Sequence, residues 1–473
     1  MIELAPGNLR EFYERLVRGR PPGGVDPRTF RLSQIVAGPE ALEGLVGLAT
    51  AGGNRSRVVI VQDETEFIRA GVSVKPVVRQ AFETAGIPVH VVVVPGADVH
   101  TTPDRIAAVR GHLQPGDVVI ALGSGTITDI TKHAVHLFET GGAALHLIAV
   151  QSADSVCAYT SGMAVLTIDG VKRTVPSRLP NRLVLDWQLL AGAPAAYTAG
   201  GTGDAAVAAV SFADYRLAHL LGLGDWEPAA WTVMEPARTR FLARAPLPGG
   251  PAGYGVIGLD LAACGLAMTV AGESAPLSGL EHVTSHMLDM AAGFHGRPVG
   301  NHGSQCALAT LLSLIAWEVA LARPRWSDLS PDWIRQDKAY TGVLDTFTDL
   351  DDTGAAWREC WRDFSAKLAD WQSHRAGLAA FARNWTVHRD DLRRFTAPPA
   401  DYVAALRARG HPLRWEDIPA GITPEMARWA FANAHLMRRR TSVADLFAFA
   451  GAWDDQLIDR IFDTYDHLTG RPR

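Results

Sequence analysis

Residues 116–129 read Gly116-Asp-Val-Val-Ile-Ala-Leu-Gly-Ser-Gly-Thr-Ile-Thr-Asp129. Asp117 to Leu122 is a short, β-branched apolar run, fit for a strand buried on both faces. Gly123 to Gly125 forms a tight turn, and Thr128 to Glu139 follows with a helical pattern. Glycines here let the backbone approach a phosphate closely. The helix start behind them offers unpaired N–H groups and a positive dipole end. The spacing is neither GxGxxG nor GxxxxGK[ST]. The turn alone therefore reads as a cofactor cradle or as a plain strand-to-helix turn.

The same alternation extends in both directions. Arg57 to Gln62 and Val89 to Val94 read as strands before it, and His146 to Val150 as a strand after it. Helical stretches at Pro76 to Ala85 and Asp104 to Leu113 separate them, ended by Gly86-Ile87-Pro88 and Pro115-Gly116. Strands alternating with helices predict a parallel sheet with right-handed crossovers. Met163 to Ile168, Asp169-Gly170 and Lys172 to Val175 have the form of a hairpin with an Asp-Gly turn. Arg182 to Asp186 is a further extended run.

From Leu189 the pattern turns helical, with long apolar stretches at Ala205–Leu221, Tyr254–Ala271, His282–Ala292 and Cys306–Leu321. The expected organisation is an α/β, Rossmann-like parallel-sheet domain with a hairpin over 1–188, then an all-α domain over 189–473. Such close-packed pairs bind ligands in the cleft between them. A Trp-rich zone over about 322–400 reads as an insertion or a diverged part of the helical domain. Trp357, Trp361, Phe364, Leu368 and Trp371 fall on one helix face, which suits aromatic core or an oligomer contact.

Composition narrows the class. The chain has 473 residues, 47% hydrophobic and 20% charged, with a net charge of −5. That is an ordinary globular balance, without the basic field that holds nucleic acid or an anionic membrane. No uninterrupted apolar run reaches membrane-spanning length, and Met1 to Arg20 lacks a signal core. Cys157, Cys264, Cys306 and Cys360 are scattered without a CxxC pair. This argues against a disulfide framework or a structural zinc module and fits a reducing cytoplasm.

The histidines give the second chemical signal. His282 and His286 lie at i and i+4 and share a helix face; His295 and His302 follow, each before glycine. The pattern is not HExxH, so a metalloprotease reading fails. Spacing leaves core packing and metal ligation both open. Asp204, at the end of Gly201-Thr-Gly-Asp204, is a candidate third ligand.

Several ordered segments together resemble one superfamily: the iron-containing alcohol dehydrogenases, glycerol dehydrogenases and dehydroquinate synthases. They are Gly123-Ser-Gly-Thr-Ile-Thr-Asp-Ile-Thr-Lys132, Gly170-Val-Lys-Arg-Thr-Val-Pro176 and Ala199-Gly-Gly-Thr-Gly-Asp204. Ser278-Gly-Leu-Glu-His-Val-Thr-Ser-His286, His302-Gly-Ser-Gln-Cys-Ala-Leu-Ala-Thr310 and Met437-Arg-Arg-Arg-Thr-Ser-Val443 complete the series. The likeness is strongest to the sn-glycerol-1-phosphate dehydrogenases.

The resemblance implies a dehydroquinate synthase-like fold and a metal-dependent, NAD- or NADP-linked dehydrogenase. It places one divalent metal, zinc by preference with nickel or iron as alternatives, on Asp204, His282 and His302. It places the cofactor on Asp63, Gly123, Ser124, Gly125, Thr126, Asp129, Ser152 and Ser155. His286 becomes a candidate proton relay. The substrate would be a small phosphorylated polyol or related sugar phosphate, and the aromatic helical half points to a homodimer.

The departures fall on the substrate side. Cys157 stands where the family carries an aspartate, and Ala208 where it tends to carry a lysine. An acceptor-only carboxylate has become a weak thiol donor, which makes Cys157 the second candidate catalytic residue. Ala307 and Ala309 alter the glycine-rich part of the His302 segment. These changes keep two alternatives in view: a sugar phosphate cyclase of dehydroquinate synthase type, and a binding or regulatory protein without turnover. Arg438-Arg439-Arg440 reads as a solvated helix end or a phosphate contact, and Lys172 and Arg173 as solvated hairpin residues or, from a hairpin near the cleft, as groups that reach a phosphate.

Overall fold

The computed structural model describes residues 31–53, 56–96, 99–168, 171–326 and 329–470. Met1 to Arg20 and the Asp169-Gly170 turn lie outside the described residues.

The strands in chain order are β1 (Gln34–Gly38), β2 (Val58–Gln62), β3 (Ile68–Arg69), β4 (Val72–Ser73) and β5 (Val89–Val93). They continue with β6 (Val118–Gly123), β7 (His146–Gln151), β8 (Met163–Ile168), β9 (Val171–Pro176) and β10 (Arg182–Asp186). Six of them form one sheet in the order β1-β10-β7-β6-β2-β5. Every pair in it is parallel. All six residues of β6 are buried, because helices cover both faces of a parallel sheet. β8 and β9 pair antiparallel as a separate ribbon.

The sheet carries one strand that the sequence reading lacked. β1, Gln-Ile-Val-Ala-Gly, is too poor in β-branched residues to announce itself, yet it pairs along β10 from Gln34↔Arg182 to Gly38↔Asp186. The order reverses between β2 and β6: the chain leaves β2 for β5, then returns to the other side. In open α/β sheets ligands bind outside the strand C-termini at such a point. The register Val58↔Val118 to Val61↔Ala121 carries Asp63 and the Gly123 turn to one rim.

Five helices position the site: α1 (Gly125–Glu139), α2 (Ala195–Ala206), α3 (Pro251–Ala271), α4 (Leu280–Phe294) and α5 (His302–Ala322). The stretch predicted as one helix over Ala205–Leu221 is broken. α2 ends at Ala206, a single 3-10 turn spans Val207–Ala209, and a new helix runs Ser211–Leu220 after Val210 at φ −140°. Residues 206–215 are buried on all sides, so apolar periodicity had no polar face with which to mark the break. α3 and α5 are long and apolar enough to cross a membrane. They are instead core helices, 72% and 83% buried within the protein.

Beyond α5, the Trp-rich stretch folds as helices Gln336–Thr348, Ala355–Ser373, Arg375–Arg383 and Trp385–Arg393. Phe364, Leu368 and Trp371 are buried, while Trp357 and Trp361 are half-buried edge-on to Tyr340. Trp333 is 59% exposed.

Candidate active site

Glycines bring two helices together at the site. A Cβ on Gly303 would sit 1.8 Å from the Gly200 carbonyl oxygen, and one on Gly203 would sit 2.2 Å from that of Gly303. Neither close approach tolerates a side chain. This contact sets the last turn of α2 against the first turn of α5. Asp204 and His302 consequently face one another, and His282 on α4 closes the third side.

The distances are those of a cluster. His282 Nε2 lies 3.3 Å and His302 Nε2 4.0 Å from Asp204 Oδ1. Cys306, one turn after His302, places Sγ 3.6 Å from His302 Nε2. One donor atom from each of Asp204, His282, His302 and Cys306 lies within 4.8 Å of all the others. His286 stacks on His302 with centroids 5.4 Å apart. His295, the alternative to His302, caps α4 in an exposed position outside this group.

Neighbouring groups set the ring orientations. Ser285 Oγ donates to Gln305 Oε1 at 2.6 Å and lies 2.8 Å from His302 Nδ1. The hydroxyl's only proton is committed to the amide oxygen, so it accepts from Nδ1–H and leaves the His302 Nε2 lone pair facing the cluster. Glu281 Oε1 stands 3.4 Å from His282 Nδ1 and does the same for that ring. Outer acceptors that fix the histidine tautomer are the usual support of a metal ligand. Asp204 Oδ2 accepts from the Cys157 backbone N–H at 2.9 Å. Oδ1 is buried and takes no hydrogen bond. A buried carboxylate oxygen faced by two imidazole nitrogens, whose protons a metal ion would displace, fits a divalent cation.

The ionisations are coupled in the same sense. Burial opposes the Asp204 charge, but His282 and His302 hold it below the ordinary carboxylate value. Burial opposes charge on His282 as well, but Cys306, Asp204 and Glu281 raise it well above the usual imidazole value. Burial, then Arg438, push His286 well below that value, so it is neutral. Its Nδ1 lies 3.4 Å from Arg438 Nη2, which leaves the ring proton on Nε2. Burial and the Asp204 charge push the Cys157 thiol well up, so Cys157 stands as a protonated thiol.

A cavity of about 240 Å³ opens over these groups. Its lining includes Asp204, His282, His286, His302, Cys157 and Lys172. It also reaches Gly125, Thr126 and Asp129 at the start of α1. A larger groove of about 470 Å³ lies between Leu42 and Phe82. It is almost wholly apolar and gathers no convergent donors, so the chemistry belongs to the smaller one.

The remaining predicted residues occupy the sheet rim in various ways. A Cβ on Gly125 would fall 2.3 Å from Val156 Cγ2, so the glycine is set by close packing. Ser124 is the N-cap residue of α1. Ser152 is buried with its N–H on the Gly123 carbonyl and its hydroxyl unpartnered. Ser155 is half-buried and bonds Tyr159. Asp63 pairs with Lys75 at 2.9 Å. Asp129 pairs with fully buried Lys132 and accepts from the Val165 N–H, which ties the β8–β9 ribbon to α1.

Four basic residues expected to be solvated are instead packed or paired. Lys172 pairs with buried Asp289 beside the cavity. Arg173 is buried between Glu359 and Asp363. Arg438 and Arg440 are half-buried, donating to the Lys172 and Ser278 carbonyl oxygens, while Arg439 remains outside on Asp370. The arginine run thus ties the C-terminal part of the chain to the hairpin and to the start of α4. Cys306 went unnoticed as a site residue, although its i+4 spacing from His302 was legible.

A sequence profile of the iron-containing alcohol dehydrogenases matches residues 36–194. The glycerol-1-phosphate dehydrogenase [NAD(P)+] of Bacillus subtilis is 29% identical over 293 residues, 60% of this chain and 71% of that protein. Its namesake from Bacillus velezensis is 28% identical over 351 residues, covering 73% and 85%. Among solved structures, glycerol dehydrogenase from Schizosaccharomyces pombe superposes with a TM-score of 0.54 at 14% identity. That superposition covers 93% of this chain and 92% of that one, and it speaks to the fold. With the ordered motifs, these likenesses make the chain similar to the iron-containing alcohol dehydrogenases over residues 36–194, and to the glycerol-1-phosphate dehydrogenases over 60% to 73% of its length.

Proposed function

We propose that the protein is a metal-dependent, NAD(P)-linked dehydrogenase. It transfers a hydride between nicotinamide and a small phosphorylated polyol of the glycerol-1-phosphate kind, in the cytoplasm. The convergence of Asp204, His282 and His302 on one cavity, which Gly125, Thr126 and Asp129 also line, carries this reading. A divalent ion held by those residues would polarise the substrate oxygen, and the dinucleotide would exchange the hydride at the adjoining carbon.

The chain's own groups supply the rest. Ser285 and Glu281 hold the two imidazoles in the tautomer a cation needs. Neutral His286, with its proton on Nε2, can donate a hydrogen bond to a substrate oxygen in the cavity. Lys172 is a cationic side chain on the same wall and suits a substrate phosphate. Cys157 meets the substrate as a donor thiol where the family presents an acceptor, which favours an oxygen acceptor on the bound molecule. Asp63 and Lys75 together fit the ribose end of either dinucleotide: a carboxylate for a 2′-hydroxyl, an ammonium for a 2′-phosphate.

The test uses purified protein: elemental analysis, then oxidation of NADH and NADPH, each with dihydroxyacetone phosphate. Stoichiometric metal and substrate-dependent oxidation are expected. Bound metal without oxidation of either cofactor would remove the substrate assignment. Failure to take up any divalent metal would remove the site.

A further inference from the structure

We infer that Cys306 is a fourth protein donor to the metal, making the centre Asp-His-His-Cys. This rests on the reading that Asp204, His282 and His302 hold a cation, and extends it to a residue that reading does not need.

The four donor atoms lie close enough to converge on one ion, all within 4.8 Å of one another, with His302 Nε2 and Asp204 Oδ1 4.0 Å apart. With zinc bonds of about 2.0–2.3 Å, neighbouring donor atoms stand about 3.3–3.7 Å apart. His282 Nε2 to Asp204 Oδ1 is 3.3 Å, and Cys306 Sγ to His302 Nε2 is 3.6 Å. His302 and Cys306 lie four residues apart on α5, so one helical face presents both. Cys306 has no exposed surface. Asp204, 3% exposed, aims an oxygen without a hydrogen bond at the same point.

A thiolate in the set changes the chemistry. It selects softer ions, zinc or cobalt, over hard oxygen-seeking ones. Uptake of the metal releases the thiol proton to solvent as the S–metal bond forms. With four protein donors, Asp204, His282, His302 and Cys306 would hold the ion, which would still polarise a substrate oxygen as a Lewis acid.

Cobalt substitution of the full chain separates the possibilities. A thiolate–cobalt charge-transfer band in the near ultraviolet is expected, beside the visible ligand-field bands. Cys306→Ser should bind stoichiometric cobalt, keep the visible bands and lose the charge-transfer band. Cys157→Ser, removing the other thiol near Asp204, should keep it. Cobalt bound to the wild type without a charge-transfer band would overturn this inference and leave the metal site standing. So would a band that survives in Cys306→Ser or disappears in Cys157→Ser. A wild type that binds no cobalt would overturn both. If Cys306→Ser does not fold, X-ray absorption of the zinc-loaded wild type decides: a sulfur at about 2.3 Å supports the inference, and only nitrogen and oxygen neighbours refute it.

Discussion

Two buried charged clusters in this protein look alike in composition and differ in kind. In the helical region beyond α5, Lys367 and Asp445 are 1% and 0% exposed and pair at 2.7 Å. The Lys367 ammonium also donates to the His435 carbonyl oxygen, and the second Asp445 oxygen accepts from Ser442 in a capping box. Both charges find their opposites within the chain. At the cleft, Asp204 meets two imidazoles and a thiol, all able to give up protons and none a fixed cation. A closed pair secures a fold, because desolvation is offset on the spot. A set of side chains whose protons a metal ion can displace, converging on one buried point, marks a candidate binding site.

That contrast can be broken at several points. Asp204→Ala should lower turnover about a thousandfold or more and abolish metal uptake, with little change in thermal stability of the metal-free protein. Elemental analysis and calorimetry together check this, and a variant that keeps its metal would dissolve the contrast. Lys367→Met should do the opposite. Leaving Asp445 buried and unpaired costs about 3–5 kcal/mol, read by denaturant unfolding, while metal stoichiometry per folded molecule stays the same.

Gly303→Ala tests the scaffold between the two. Its Cβ has no room beside the Gly200 carbonyl, so α2 and α5 must part, at about 1–3 kcal/mol. Both stability and metal affinity should fall, since the same displacement moves Asp204 from His302. Stability loss with unchanged affinity would mean that the glycine contact does not set the site.

The effect that is smallest near neutral pH concerns His435. Burial, then the Lys367 charge, push His435 down to about 3 from an ordinary 6.5. A histidine depressed in the fold contributes stability that is fully present above the unfolded value and is lost as pH falls toward the folded one. Melting temperature should therefore decline from about pH 6.5 downward. His435→Phe should flatten that decline without altering acid release of metal from the cleft. Identical profiles for variant and wild type would remove His435 from the account.

Much of this was legible in the chain. The Arg57–Gln62, Val89–Val94 and Asp117–Leu122 runs sit on β2, β5 and β6, because β-branched runs between helix breakers leave few other options. Asp204, His282 and His302 could be named together only through the family resemblance, and the structure brings their donor atoms to one point. Cys306 escaped because a lone cysteine in an apolar helix looks like core. Arg438, Arg440 and Lys172 escaped because a charged run looks solvated until something packs over it.

The sequence by itself determined the alternation of strands and helices, the glycine turn and the types of residue available for chemistry. Those follow from local sterics and from which side chains can carry a proton or a metal. Only the tertiary structure decided which of them meet. The break at Val210, the contact of Gly200 and Gly203 with Gly303, and the place of β1 beside β10 all join segments distant in the chain. Such contacts depend on whole surfaces fitting together, and no local pattern encodes that fit.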